Sequence, residues 1–374
     1  MLQVNPVNSP HEQRRFIRLP WSIYTDDPAW VPPLLLERKE FLSPKNPYFE
    51  HARYQSWIAY RDGTPVGRIS AQIDQLHLDR YPEKEGFFGM IEAEDIAETF
   101  AALFQTAETW LREHGMRRVL GPYNLSINQE PGLLVDGFET PPFMMMGHAR
   151  PYYATRIEEN GYRKIKDLYA YIIDSNFEAS PAMQTIVKRA KKRVTIRSLR
   201  KSNFDHDLNI IEDIFNDAWS ENWGFLPFTE AEFNQLAKEF KLVLDFELVK
   251  IADVDGVPAA FMVVVPNINE AIRDLNGRLL PFGWLKLLWR LKIKFPQTVR
   301  LPFLGVRKKY HDSILGAALP FLMIQAAWAP ALRRGVKKAE LSWILEDNKG
   351  ISDIIESLGG TAYKTYRIYA KDLI

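Results

Sequence analysis

The sequence predicts an α+β protein in which one domain is written twice. Two observations carry that reading. The first is a repeated turn: Asp62-Gly63-Thr64-Pro65 and Asp255-Gly256-Val257-Pro258 each lie between two runs of strand-forming residues. The second is a repeated ending. A short helical run closed by Gly161 precedes an alternating segment at 166–173, and one closed by Gly359 and Gly360 precedes another at 363–370. The two offsets agree at about 190 residues, the length of one domain. The expected division is residues 1–178 and 179–374, with the join in the stretch 175–181.

Each half then reads in the same order. In the first, strands at 56–60 and 66–73 flank the turn. A strand at 87–91 leads to a helix over 96–114, with Ile96, Phe100, Leu103, Phe104, Ala107 and Leu111 at helical spacing, and then to a strand at 118–121. In the second, a strand at 194–199 and a helix at 208–219 come first. Strands at 247–252 and 259–265 flank the turn, followed by a strand at 298–306, a helix at 315–332 and a strand at 339–345. Residues 314–332 carry no charge and are long enough to span a bilayer. Pro320, Pro330 and several alanines make the run only weakly apolar, so a buried helix preceded by a loop fits better.

Composition narrows the function. The 374 residues hold 48 basic and 47 acidic side chains, a net charge of +1, which argues against a dedicated nucleic-acid binder. The absence of cysteine excludes disulfides, thiolate catalysis and cysteine-ligated metal, and makes the cytoplasm the default compartment. The seven histidines show no metal-binding spacing, so no metal is expected. The neutral total hides two basic stretches: residues 188–201 hold eight Lys or Arg and 278–300 hold six, neither with an acid. Within the second, 279–294 interleave leucine and tryptophan with lysine and arginine. That is the pattern of an interfacial helix on an anionic membrane, and equally of an amphipathic helix covering a core or a dimer contact.

The order of elements in both halves resembles the GNAT fold of CoA-dependent N-acyltransferases. The fold implied is two tandem GNAT-like domains, each a twisted mixed sheet flanked by helices, and the co-substrate implied is coenzyme A in its acylated form. The family's pyrophosphate loop reads Arg/Gln-x-x-Gly-x-Gly/Ala and enters the long helix, where small residues and the helix N-terminus favour an anion. Here Gly316 matches the second glycine, while Ile314 replaces the first and His311 replaces the Arg or Gln. By this resemblance the CoA site comprises Leu304, Val306, Arg307, Lys308, Lys309, His311, Gly316, Ala317 and Asn348. A solvated basic turn capping a core helix is the alternative. The first half is acidic at 91–96 instead, so it is expected to be a degenerate copy that shapes the acceptor pocket. Ile355 replaces the tyrosine that often protonates the leaving thiolate.

Several strings resemble a bacterial N-acetyltransferase-like family related to the bacterial ceramide synthases, which N-acylate a sphingoid base from acyl-CoA. They are Gly121-Pro122-Tyr123-Asn124, Asn128-Gln129-Glu130-Pro131-Gly132, Pro151-Tyr152-Tyr153 and Ala218-Trp219-Ser220-Glu221-Asn222-Trp223. N-acylation needs a base for the amine proton. The candidates are Glu346 and Asp347 at the end of a core strand, where either Asp347 or Asn348 also suits a helix cap, and Glu130 in a Gly/Pro/Asn-rich loop. Glu221, His148 and His311 are weaker candidates. Trp219, Asn222 and Trp223, with Tyr152 and Tyr153, are the candidate substrate contacts, a core role being the alternative for each aromatic.

The expected function is therefore transfer of an acyl group from acyl-CoA to an amine, a long-chain or sphingoid-type amine at the inner membrane surface. Two rivals remain. One is a GNAT-derived protein that binds a lipid or peptide without transfer. The other is a Fem-type transferase fed by aminoacyl-tRNA, the single reading with a nucleic-acid partner.

Overall fold

Both Asp-Gly turns place two consecutive residues at positive φ: Asp62 at 50° and Gly63 at 82°, Asp255 at 51° and Gly256 at 82°. That geometry matches the twist of the strands it joins, which is why these dipeptides nucleate hairpins. The computed structural model describes residues 1–174 and 181–373. It divides into two compact units. One comprises Met1–Leu168, Ile272–Gly283 and Lys364–Ile374; the other comprises Tyr169–Ala271 and Trp284–Tyr363.

In the first unit, β1 (Leu2–Pro6) is followed by three helices, α1 (Pro10–Arg18), α2 (Pro20–Ile23) and α3 (Leu35–Phe41). The side chain of Ser9 and that of Glu12 cap α1 reciprocally. Then come β2 (Ala52–Arg61), β3 (Thr64–Asp74), α4 (Gln75–Arg80) and β4 (Glu85–Ala93). These four strands pair antiparallel in sequence order. The next strand, β5 (Arg118–Gly121), pairs with β4 in parallel. A parallel step needs a crossover, supplied by α5 (Ala97–Glu113), which buries Phe100, Leu103, Phe104, Ala107 and Leu111. A small ladder of β6 (Tyr123–Asn124) and β7 (Glu130–Pro131) precedes β8 (Leu133–Asp136), α6 (Tyr152–Glu159) and β9 (Arg163–Asp174).

The second unit repeats this plan. The elements of the second half of the chain are α7 (Pro181–Ala190), β10 (Val194–Ser198), α8 (Phe204–Trp219), α9 (Glu230–Val243), β11 (Lys250–Val254), β12 (Val257–Pro266), α10 (Ile268–Ile272), α11 (Gly283–Trp289), β13 (Thr298–Val306), α12 (Ile314–Arg333), β14 (Lys338–Leu345), α13 (Lys349–Ser357) and β15 (Thr361–Asp372). β10 to β13 pair antiparallel in order and β14 pairs with β13 in parallel, matching β1 to β5. The crossover α12 is long and apolar enough to cross a membrane. It is instead a core helix: Ala318, Leu319, Phe321, Leu322, Met323, Ala327 and Ala331 pack with Val299, Val306, Ala259 and Met262.

The sequence-based elements need three adjustments. The strand expected at 247–252 begins at Lys250, because Asp245 caps a 3₁₀ turn at Phe246–Leu248. Helix α8 begins at Phe204, four residues before the apolar spacing suggested. Helix α9 was not anticipated, although Thr229 and Glu232 form a capping box at its start.

The expected domain division needs rewording as well. Residues 175–180 at the join lie outside the described residues. More importantly, the units exchange their last strands. In the first unit the neighbour of β5 is the C-terminal part of β15, with Tyr369 opposite Gly121 and Asp372 opposite Arg118. In the second, residues 169–174 of β9 lie beside β14. Strand pairing is non-local, so a sequential cut cannot express it.

Ile368 is fully buried on β15 in the first unit. Ile368→Ala should lower global stability by about 2–5 kcal/mol, the usual range for emptying a core site. Denaturant unfolding of the full chain checks this, and a change below about 0.5 kcal/mol would mean that the strand is not a core strand.

Candidate active site

β13 and β14 set the geometry of the second unit. They pair only from Thr298 with Lys338 to Leu301 with Leu341, yet both continue, to Val306 and Leu345. Beyond Leu301 the two strands part. The edge of β13 from Pro302 to Val306 therefore has no strand partner on that side among the described residues.

Charged groups gather where the strands separate. Arg300 and Glu340 are opposite each other in register, both fully buried, with Nε 3.5 Å from Oε1. Ser342 Oγ accepts from Arg300 Nε at 2.9 Å and donates to Glu340 Oε1 at 2.7 Å. The Tyr363 hydroxyl donates to the other Glu340 oxygen. The Arg300 guanidinium also lies 4.5 Å from the centre of the Trp343 ring. The Trp343 indole N–H is buried and has no acceptor. Sequence reasoning missed this cluster. A signal was present: one charged residue inside each of two otherwise apolar strand runs, Val299-Arg300-Leu301 and Ala339-Glu340-Leu341.

Beyond β13 the chain enters the basic loop. Arg307 pairs with Asp213 and donates through Nε to the Pro258 carbonyl. Lys308 donates its backbone N–H to Asp217 at 2.9 Å, and its Nζ reaches Glu221 at 3.1 Å. Asp213 and Asp217 lie on α8 and Glu221 just beyond it, four residues apart along one face, so the loop is fastened to α8 by charge. Lys309 is exposed with its Nζ over the Tyr310 ring, and His311 Nε2 donates to the Val306 carbonyl at 2.7 Å. Ser313 caps α12 through the Gly316 N–H, and Ala317 donates to the Ser313 carbonyl. The first two amides of α12, Ile314 and Leu315, have no intrahelical acceptor, as at every helix start. Gly316 is required sterically: a Cβ there would sit 2.1 Å from the Tyr310 carbonyl oxygen. The loop thus folds directly over the first turn of the helix.

The other candidates separate into groups. Trp219 donates its indole N–H to the Leu304 carbonyl, and its ring lies 5.9 Å from Phe303. Asn222 takes part in a turn after α8 with Trp219 and Phe225, and Trp223 is half-buried. Asn348 caps α13 through the Ile351 N–H. Glu346 is half-buried at the end of β14, and Asp347 beside it is exposed.

Glu130, Tyr152, Tyr153 and His148 all belong to the first unit. Tyr152 donates to the Ala93 carbonyl, and Tyr153 donates to Glu92, tying α6 to the end of β4. His148 holds Asp27 at 2.9 Å, and burial pushes its pKa down. Burial pushes the Glu130 carboxyl up, but Arg38 at 2.7 Å and Asn124 at 2.9 Å outweigh it and hold the pKa below the usual carboxylate range.

The first unit also shows what became of its own parting strands. β4 and β5 pair only from Glu85 with Arg118 to Phe87 with Leu120. Beyond that point the chain's own segment occupies the space. Asn124 Oδ1 accepts the Met90 N–H at 2.7 Å, Gln72 donates to the Tyr123 carbonyl at 2.6 Å, and a Cβ on Gly89 would meet that carbonyl at 1.9 Å. The helix that follows starts without a side-chain cap, after Glu92, Glu94 and Asp95.

Comparison with known proteins fits this plan. No protein-family model matches the chain. A bacterial ceramide synthase of Caulobacter vibrioides is 49% identical over 375 residues, covering 100% of this chain and 98% of the relative. The chain belongs to that ceramide synthase family. Protein YghO of Escherichia coli, 46% identical over 97% of this chain and 93% of its own, is a further relative. Among solved structures, a tandem GNAT protein from the clavulanic acid pathway aligns over 100% of this chain and 99% of its own, with TM-score 0.56 and 12% identity. A GCN5-related N-acetyltransferase from Sphaerobacter thermophilus aligns over 100% and 96%, with TM-score 0.55 and 13% identity. The chain also spans 38% of a fungal multi-domain β-N-acetylglucosaminidase with a glucosamine N-acetyltransferase region, with TM-score 0.57 and 14% identity. The fold is thus two tandem GNAT folds, and the family member described here is an N-acyltransferase.

Glu130 supplies a test of the first unit. Glu130→Gln removes the more buried of the two carboxylates that Arg38 pairs with, leaving Glu37 at 2.6 Å, and should lower stability by about 1–2 kcal/mol near neutral pH. The folded pKa of Glu130 lies below its unfolded value. Its stabilisation is therefore present above the ordinary carboxylate range and lost as pH falls through the folded pKa. In denaturant unfolding followed down to about pH 3, the variant should lose less stability on acidification than the parent. Equal losses would contradict the assignment.

Proposed function

We propose that this N-acyltransferase takes its acyl group from acyl-CoA, bound by the second unit, and gives it to the primary amine of a long-chain base. The observation that carries the donor assignment is the edge of β13 that lacks a strand partner beyond Leu301 among the described residues and leads straight into a basic loop and a helix N-terminus. A thioester laid along 304–306 would put its carbonyl against backbone amides, and the phosphates would meet the start of α12 with the exposed Lys309 nearby. In the first unit the corresponding space is filled by Tyr123 and Asn124, and the approach is acidic. The lipid acceptor follows the name of the Caulobacter relative, since a ceramide is an N-acylated long-chain base.

The chemistry needs one proton removed and one bond exchanged. The amine nitrogen attacks the thioester carbon, the C–N bond forms, and the C–S bond breaks to release the CoA thiolate. Ordinary thiols have a pKa of about 8.5, so the thiolate is a fair leaving group without the tyrosine that Ile355 replaces. We assign the amine proton to Glu346, which stands half-buried at the parting end of β14. Glu130 is ionised and already accepts from Arg38 and Asn124, so it suits positioning better. Asp347, exposed beside Glu346, is the second choice. The Trp343 N–H, buried without an acceptor, is the side-chain donor nearest in sequence to that strand end.

A membrane surface would supply the lipid. From Trp284 to Lys294 the exposed side chains include Trp284, Leu285, Leu288, Trp289 and Ile293, interleaved with Lys286 and Lys292 and followed by Lys294. That combination favours an anionic bilayer. Aminoacyl-tRNA is disfavoured as donor, because Arg307 and Lys308 are already matched by Asp213, Asp217 and Glu221.

With palmitoyl-CoA and dihydrosphingosine, the purified protein should release CoA thiol and form the amide. Gly316→Ala should raise the KM for the donor about tenfold by lifting the loop from α12, and Glu346→Gln should lower kcat about a hundredfold with little change in KM. Folded protein that forms no amide with any acyl-CoA would overturn the reading.

A further inference from the structure

We propose that a cavity beneath α8 and α9 in the second unit holds one unbranched hydrocarbon chain of a lipid substrate. The inference rests on the transfer reading above for the identity of the substrate, and on the cavity alone for the kind of ligand. A cavity of about 50 Å³, part of a wider recess open to solvent, lies between these helices and the β12–β13 face of the sheet. All fifteen residues around it are apolar. The floor is Phe261, Val263 and Phe303, the walls include Phe215 and Phe240, and Ala237 of α9 faces it.

Protein interiors are normally packed as densely as organic crystals, so an all-apolar gap under two helices marks a place where the packing is incomplete. An apolar cavity with no hydrogen-bonding group does not hold water well and accepts hydrocarbon. It offers nothing to a peptide, whose backbone groups would go unpaired there, or to a sugar or nucleotide. A polymethylene chain has no such groups, and each methylene moved from water into such a site strengthens binding about fourfold.

The cavity is also placed for the chemistry. Phe303, on its floor, immediately precedes Leu304, the first residue assigned to the thioester. The Trp219 ring lies against Phe303 and Phe215, while its N–H is fixed on the Leu304 carbonyl. A chain in the cavity therefore ends beside the strand on which transfer is proposed. Two sources share this chemistry, the acyl chain of the donor and the tail of the amine.

The test uses the full chain and cis-parinaric acid, a straight-chain fluorescent fatty acid. Saturated fatty acids should displace it with an affinity that rises about fourfold per added methylene until the cavity is full. Ala237→Trp, which fills the space, should weaken parinarate binding at least about tenfold and lower the long-to-short chain preference in transfer. Phe240→Ala, which enlarges it, should move the preference to longer chains. One transfer series varies the acyl-CoA at fixed amine and the other varies the amine at fixed acyl-CoA. The series that shifts names the source.

A flat displacement series on the unmodified protein would overturn the proposal even if neither variant folds. So would folded variants that bind parinarate and select chain length as the parent does, the behaviour of a merely loose core. Chain-length-dependent binding that both variants alter, without transfer from any acyl-CoA, would sustain the cavity and defeat the transfer reading alone. Transfer without chain-dependent binding would do the reverse.

Discussion

Everything in the proposed site depends on how β13 and β14 come apart. Parallel strands normally stay paired, because each backbone group left unbonded and buried costs free energy. Here pairing stops after four residues, and the last pairs include Arg300 opposite Glu340. Two buried charges are tolerated only when both are well satisfied. Ser342, Tyr363 and the face of Trp343 complete that environment. The ion pair therefore fixes the register at the root of the gap, and the strand beyond it is left with an open edge. In the proposed reading the donor thioester lies along that edge.

The duplication shows the same geometry with and without an opening. Both units pair their fourth and fifth strands for a few residues and then separate them. In the first unit Tyr123 and Asn124 close the space, with Gln72 and the Met90 amide holding them. In the second unit β14 runs on to Leu345 and the edge stays open. Charge follows the same division. Acidic residues precede the uncapped α5, whereas Ser313 and a basic loop precede α12. Each unit includes a strand from the other half of the sequence.

How much of this was legible in the sequence depends on how local the cause is. The Asp-Gly turns, the two crossover helices and the core role of α12 follow from residues within a few positions of one another. Helix α9 had a local signal too, the Thr229 and Glu232 capping box, but its apolar positions are interrupted by charge. The exchange of strands had none, since Tyr366, Ile368 and Tyr369 say that β15 is a strand and nothing about its neighbours. Among the candidate site residues, Gly316 stood out because a close approach leaves glycine no substitute. Arg307 and Lys308 read as phosphate ligands, and only the structure shows the carboxylates of Asp213, Asp217 and Glu221 beside them. Arg300, Glu340 and the aromatic cavity were invisible as a group because their members are tens of residues apart.

The central claim is that the donor binds the second unit along the open edge of β13 and not the first. Hydrogen–deuterium exchange with and without palmitoyl-CoA tests it most directly. The account predicts slowed exchange in the amides of 303–317, with no change across 88–98, where Asn124 already holds the Met90 amide. Protection at 88–98 in place of 303–317, or none in either segment at saturating donor, would contradict it.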